Sequence, residues 1–466
     1  MGGPAVKRPD TFLGMFMPPL ESPRLRPWTG LAGEWKPTLR LAVPVVLAEL
    51  GWMGMGVVDV IMVGRLGPEA IGAVGLGNMM HFAPVVVAFG LLLGLDSLIA
   101  RAFGEGSLDE CHRWLAQGVF VSIILAVPMM GIVWGMLPLL DLLGVNPSVK
   151  ALVRPYLYAL NWSTLPLLVY VPFRRYSQSI GRAIPITIAL VVANLINLGA
   201  NALLIYGLYG FPKLGVAGSG WATVIARVGL TALLIADAFR PGTGLFAADW
   251  RPSFERIKRM LILGLPAAGQ IGLEVGVFAA ATALVATLNP IALAAHEIVL
   301  NISSVTFMVP LGVSAAGGVR IGQALGRRDP LAAARAGWSA LALGVGFMAL
   351  SAIAFWTVPR LIVGLYTDEI SVTSLGIPLL GLAACFQLFD GLQVTITGIL
   401  RGVGDTHTSM FANLIAHWVI GLPVGCLLCF RFGYGVFGIW IGLTLGIFFA
   451  GVILMRAWWI KSDKLV

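Results

Sequence analysis

Charge is scarce. Only 11% of the 466 residues are Asp, Glu, Lys or Arg, whereas soluble domains keep about a quarter of their residues charged. Too little polar surface remains to cover an apolar interior, which excludes a soluble globular fold. Cysteine is scarcer still, with four residues. Cys426 and Cys429 form a CxxC, but inside an apolar run and without a second pair, so they read as small packing residues rather than a metal or redox centre. The phosphate-cradling pattern GxxxxGK[ST] is missing, which argues against an ATP-driven pump. His296-Glu297 lacks a second His at the HExxH spacing, and the Gly-rich turn Arg401-Gly402-Val403-Gly404-Asp405 lacks a phosphate-loop Lys. No nucleophile or metal constellation supports an enzyme, and no cofactor is expected. Lys and Arg outnumber Asp and Glu, 31 to 22. They are scattered between apolar stretches rather than gathered in one patch, so nucleic acid is not the expected partner.

What is abundant is apolar surface: 58% of residues are hydrophobic and the mean hydropathy is +0.89. This is the composition of a polytopic membrane protein. Long apolar spans fall near 41–63, 70–98, 114–140, 155–173, 183–207 and 214–238, and then near 260–288, 291–319, 335–365, 374–399, 408–430 and 436–458. Runs of this length, without ten-residue alternation, predict transmembrane helices rather than a barrel. The two sets of six are copies. Pro44, Pro68 and Gly104 recur as Pro266, Pro290 and Gly326 at a constant offset of 222 (266 − 44, 290 − 68, 326 − 104). The expected fold is therefore all-α, with twelve helices in two homologous six-helix bundles. The expected boundaries are a tail 1–37, a lobe 38–239, a linker 240–259, a lobe 260–460 and a tail 461–466. An even number of spans per copy makes the repeat parallel. If the N-terminus lies inside, the inner segments hold Lys and Arg over the outer ones by about four to one, which predicts both termini in the cytoplasm and an inner-membrane location.

Polar side chains inside the apolar spans need a reason, because a charge at mid-membrane costs about 2.5–3.5 kcal/mol on insertion scales. Asp59 lies about 28 Å along its helix from Arg40. Asn194, Asn197 and Asn201 share one helical face of the fifth span, and Asn201 lies at matching depth. A carboxylate facing amide oxygens suits a proton or a hard cation such as Na⁺; interhelical hydrogen bonding is the structural alternative. In the second copy, Glu274 shares a face with Gln270, and Gln387, Asp390 and Gln393 form a stripe that Thr397 continues. Both acids lack a nearby basic residue in sequence and would attract an organic cation. Ala281 stands where the first copy has Asp59, and Trp52 where the second has Glu274, so the copies share a scaffold but not a site. Arg227, in the sixth span, matches Glu49 in depth to within a few ångströms by the same counting. This predicts an Arg227–Glu49 ion pair, with Arg227–Asp59 as the runner-up. Asp96 reads as an interface residue near the cytoplasmic surface, and His417 as either titratable or structural.

Val58-Asp59-Val60-Ile61-Met62-Val63-Gly64 resembles the first-helix motif of the multidrug and toxic compound extrusion (MATE) family. So do Ala294-Ala295-His296-Glu297-Ile298 with Asn301, and Phe307-Met308-Val309-Pro310-Leu311-Gly312. Asp390-Gly391-Leu392-Gln393, Leu400-Arg401-Gly402, Gly404-Asp405-Thr406 and Gly421-Leu422-Pro423 resemble its NorM-type branch. The resemblance implies two six-helix lobes and export of amphipathic, often cationic, compounds against Na⁺ or H⁺ entry by alternating access. It implies cation-coupling or substrate roles for Asp59, Asn197, Asn201, Thr223, Glu274 and Asp390. Asp59, Asn197 and Asn201 are the possible Na⁺ ligands, and Gln270, Gln387 and Gln393 would line the substrate cavity. The expected partners are small organic molecules and the bilayer, and a monomer is expected. A lipid-linked-precursor flippase is the alternative, although it would call for a basic cavity, and an intramembrane enzyme is a weaker one. Arg101 and Glu297 stand where the family usually has Gln, and Arg227 is unexpected.

Overall fold

The computed structural model describes residues 32–142 and 146–466; most of the stretch read as an N-terminal tail lies outside them. Among the described residues there is no strand. The first lobe holds α1 (Ala32–Gly64), α2 (Pro68–Leu92), α3 (Leu95–Gly104), α4 (Leu108–Gly135), the short α5 (Leu139–Leu142), α6 (Pro147–Asn161), α7 (Thr164–Ser179), α8 (Ile184–Tyr206) and α9 (Val216–Ala238). The second holds α10 (Phe254–Ala286), α11 (Pro290–Gly326), α12 (Pro330–Thr357), the short α13 (Pro359–Gly364), α14 (Ile370–Val403), α15 (His407–Asn413), α16 (Leu422–Cys426) and α17 (Val436–Leu465). π-Helical turns at Leu414–Gly421 and Leu427–Arg431 bracket α16.

Local chemistry sets many of the starts. Pro147, Pro290 and Pro330 each open a helix, where a missing N–H removes nothing. Asn289 Oδ1 accepts from Ala292 N at 2.8 Å and Asp329 Oδ1 from Ala332 N at 2.9 Å, capping α11 and α12. α1 starts at Ala32, inside the stretch read as tail, and α10 starts inside the stretch read as linker.

Eleven helices among the described residues are long and apolar enough to cross a membrane. The twelfth crossing is made by α6 and α7, interrupted by a turn at Trp162 and Ser163. Both pieces are short, 15 and 16 residues, and the second carries Arg174, Arg175 and Gln178, all buried. The span read as 155–173 therefore continues to Ser179. α8 shows how a crossing helix is divided. Ile184, Ile188, Val191 and Leu195 are each more than half exposed, an apolar ridge for lipid, while Asn197 and Asn201 are fully buried on the other side.

The lobes are joined on the side that carries the interlobe linker. Gly264 lies against the Leu91 backbone, and Gly104 and Gly326 meet at each other's helix ends, so closely that a Cβ at any of the three would strike backbone. Polar links gather at the same end. Asp96 of α3 accepts from Arg401 Nη1 of α14 at 3.3 Å. Arg256 of α10 bridges to Glu110 of α4 at 2.6 Å. Gln323 of α11 donates to Ser179 O at 2.7 Å, and Arg320 pairs with Glu34 at the start of α1.

Candidate functional site

Three helices of the first lobe converge on Asp59, which is 4% exposed. Its Oδ1 accepts from Asn197 Nδ2 at 3.0 Å and from Asn201 Nδ2 at 2.6 Å. Its Oδ2 faces Thr223 Oγ1 of α9 at 3.0 Å, and that hydroxyl also lies 3.1 Å from Ser219 O. No basic group approaches Asp59 within ion-pair distance among the described residues. Asn201 Oδ1 and Ser219 Oγ are buried without a hydrogen-bond partner. A half-turn of each amide exchanges Nδ2 for Oδ1, so the side chains that now hydrogen-bond the carboxylate can equally present oxygen. One carboxylate among neutral oxygens fits a hard monovalent cation or a proton. It does not suit a transition metal, and no cluster of three His, Cys, Asp or Glu occurs among the described residues. Asn194, on the same sequence stripe, is not part of the cluster. It donates to Gly51 O at 3.0 Å and ties α8 to α1. Ser219 is the member that sequence reading missed, since a Ser one turn from Thr223 carries no signal of its own.

The second lobe holds a separate acidic cluster. Gln270 Nε2 donates to Glu274 Oε2 at 2.7 Å along α10. Gln393 of α14 lies near Glu274, but its Nε2 donates to Asn413 Oδ1 at 3.1 Å. Asp390 is 5% exposed, and Glu274 is near enough for its charge to act on it. Neither acid forms an ion pair among the described residues. Gln387 turns away, donating to Thr306 of α11, and its Oε1 has no partner. Gln393 therefore belongs with the acids, whereas Gln387 does not touch them. His417 is buried in a π-helical turn with both ring nitrogens unpartnered, and its Nδ1 lies beside Gly446 of α17.

The Arg227–Glu49 pair is not formed. Glu49 accepts from Arg174 of α7, which is 4% exposed on its side chain. Arg227 Nη1 instead donates to Ser163 Oγ at 2.6 Å, and its guanidinium carbon lies 5.4 Å from the centre of the Trp52 ring. The Arg227–Asp59 runner-up pair is not formed either. Matching depths along straight helices is not enough, because the fourth crossing continues beyond 173 to Ser179 and brings Arg174 to Glu49. Asp96 lies between Arg175 Nε of its own lobe, at 3.5 Å, and Arg401 of the other.

Two six-helix lobes, each with buried carboxylates that form no ion pair among the described residues, define the architecture of a polytopic membrane transporter. The MatE family profile matches residues 44–203 and 266–427, one match per lobe, and the chain belongs to that family. It is 35% identical over 443 residues to a probable multidrug resistance protein NorM of Mesorhizobium japonicum, covering 93% of this chain and 95% of that one. Its fold resembles that of the eukaryotic MATE transporter AtDTX14, with TM-score 0.85, 22% identity, and coverage of 94% and 99%. It also resembles the outward-facing conformation of a multidrug resistance MATE family transporter, with TM-score 0.84, 20% identity, and coverage of 93% and 96%.

Proposed function

We propose that the chain is an antiporter that exports amphipathic, often cationic, organic compounds in exchange for Na⁺ or H⁺. One observation carries the coupling: a buried carboxylate, Asp59, held by Asn197, Asn201 and Thr223 from two other helices with no counter-charge bonded to it. A bare carboxylate in that setting favours whichever small cation neutralises it. Its two neighbouring helices follow the cation, so filling the site changes the energy of the lobe. Glu274 and Asp390 are the second half of the reading. They offer negative charge to an organic cation in the other lobe, and binding there biases the lobe arrangement differently. Only such a difference in affinity can drive alternation. The linker-side seal is the contact that must open for the cavity to face that side. The Lys and Arg bias supports cytoplasmic termini, and the reading takes an inner membrane and a monomer as the working unit.

Purified protein in liposomes, given a Na⁺ gradient alone or a pH gradient alone, tests the reading. Uphill movement of a cationic dye under one or both gradients is the expected result. Failure under both removes secondary antiport.

A further inference from the structure

Among the described residues, Arg227 sits deep in the first lobe with no carboxylate within ion-pair distance. Arg174, Arg175 and Arg401, whose side chains are 4, 9 and 14% exposed, each hold an acid. A guanidinium presents five N–H donors in a planar fork. At Arg227 a single hydrogen bond is formed, to Ser163, and Nε is buried without a partner. Ser163 is itself fixed, because its Oγ donates to Leu160 O at 2.6 Å and so accepts from the Arg. The ring of Trp52 lies alongside, stacked in turn on Tyr170 with centroids 6.4 Å apart. Arg227 and Trp52 are both partly exposed, not sealed in the core. Asp59 acts on the guanidinium only through space, from beyond pairing distance.

Position within the repeat sharpens this. Trp52 is the counterpart of Glu274 at the offset of 222 (274 − 52). At equivalent places in the two lobes, one therefore carries an acid and the other an aromatic ring with a cation over it. The sites have opposite polarity.

We propose that Arg227, Ser163 and Trp52 form an acceptor site for an anionic group borne by an aromatic ring of the transported compound. The substrates of this protein then include amphipathic aromatic acids, carboxylates above all, and zwitterions whose amine is served by the acids of the other lobe. A carboxylate would take the unused donors of Arg227, a charge-assisted interaction roughly twice as strong as a neutral one. The attached ring would lie against Trp52. This rests on the export reading above.

Rhodamine B, which has a free carboxylate, and its ethyl ester, which does not, separate the possibilities. Binding to the purified full chain is read by fluorescence polarisation, and export is read in liposomes under imposed cation gradients. Arg227→Gln is expected to weaken rhodamine B binding on the order of tenfold or more, to leave the ester within about twofold, and Arg227→Lys to restore part of the loss. Ester binding also reports that the variant is folded. Equal weakening for both dyes, or no change for either, overturns the acceptor site while leaving export intact. If the wild type binds and exports neither dye under either gradient, the export reading itself fails and takes this site with it.

Discussion

Arg401→Ala should unbalance the two lobe arrangements without unfolding either lobe. Asp96 is held by two guanidinium groups, Arg175 from its own lobe and Arg401 from the other, at 3.5 and 3.3 Å. The side chains are 9–14% exposed, so solvent screening is modest. At an effective dielectric near 20, a pair at this separation is attracted by about 5 kcal/mol before desolvation. Most of that is offset by removing the charges from water. Deleting Arg401 leaves Asp96 paired to Arg175, so no uncompensated acid is created and only the cross-lobe link is lost. A net loss of about 1–2 kcal/mol is expected, which shifts the population of the linker-side-sealed form by roughly five- to thirtyfold. Spin labels on Cys placed at Asp109 of α4 and at Arg327, beyond the end of α11, both exposed, would read the separation of the lobes at this end. Arg401→Ala should broaden the distance distribution toward longer values. Arg175→Ala, which cuts a bond within one lobe, should lower stability with little shift in that distribution. An Arg401→Ala distribution identical to the wild type's would refute the latch.

Glu274→Gln and Asp390→Asn should each abolish dye export while leaving expression and monodispersity intact; full export by both variants would remove the acidic cluster from the mechanism. Glu49→Gln should lower thermal stability sharply, by about 3–5 kcal/mol, because it strands the Arg174 charge in the core. Differential scanning fluorimetry would show it, and a melting temperature unchanged from wild type would count against the pair. Gly264→Val should wedge the lobes apart at the linker side, since its Cβ has no room beside Leu91, and the same spin-label pair would report it.

Much of the architecture was legible because lipid imposes a simple rule: apolar residues outside and backbone bonds satisfied within each helix. The duplication was equally plain, since Pro44, Pro68 and Gly104 mark the same positions of the repeat as Pro266, Pro290 and Gly326. Asp59 and its Asn partners could be matched because the two Asn residues repeat at one helical turn and their depth follows from counting. The Glu49 pairing could not be matched. Depth fixes a residue's height along the membrane but not the direction it faces, and the apolar run of the fourth span stops at 173, one residue short of Arg174, although the helix continues to Ser179. The turn at Ser163, which receives Arg227, has no sequence signature beyond a Ser between apolar runs. The cross-lobe bonds of Asp96, Glu110 and Gln323 depend on how the two lobes are docked, which no pattern within a single helix encodes.

The central claim is that flow of an organic compound one way is tied to flow of a small cation the other way through Asp59. The direct measurement loads liposomes with dye, imposes no cation gradient, and follows Na⁺ and H⁺ with internal indicators as the dye moves down its own gradient. The wild type should drive one of these cations uphill against the dye flux, and Asp59→Asn should abolish that movement while the protein stays folded. Dye flux with no accompanying cation movement, or undiminished cation movement in Asp59→Asn, would contradict the account.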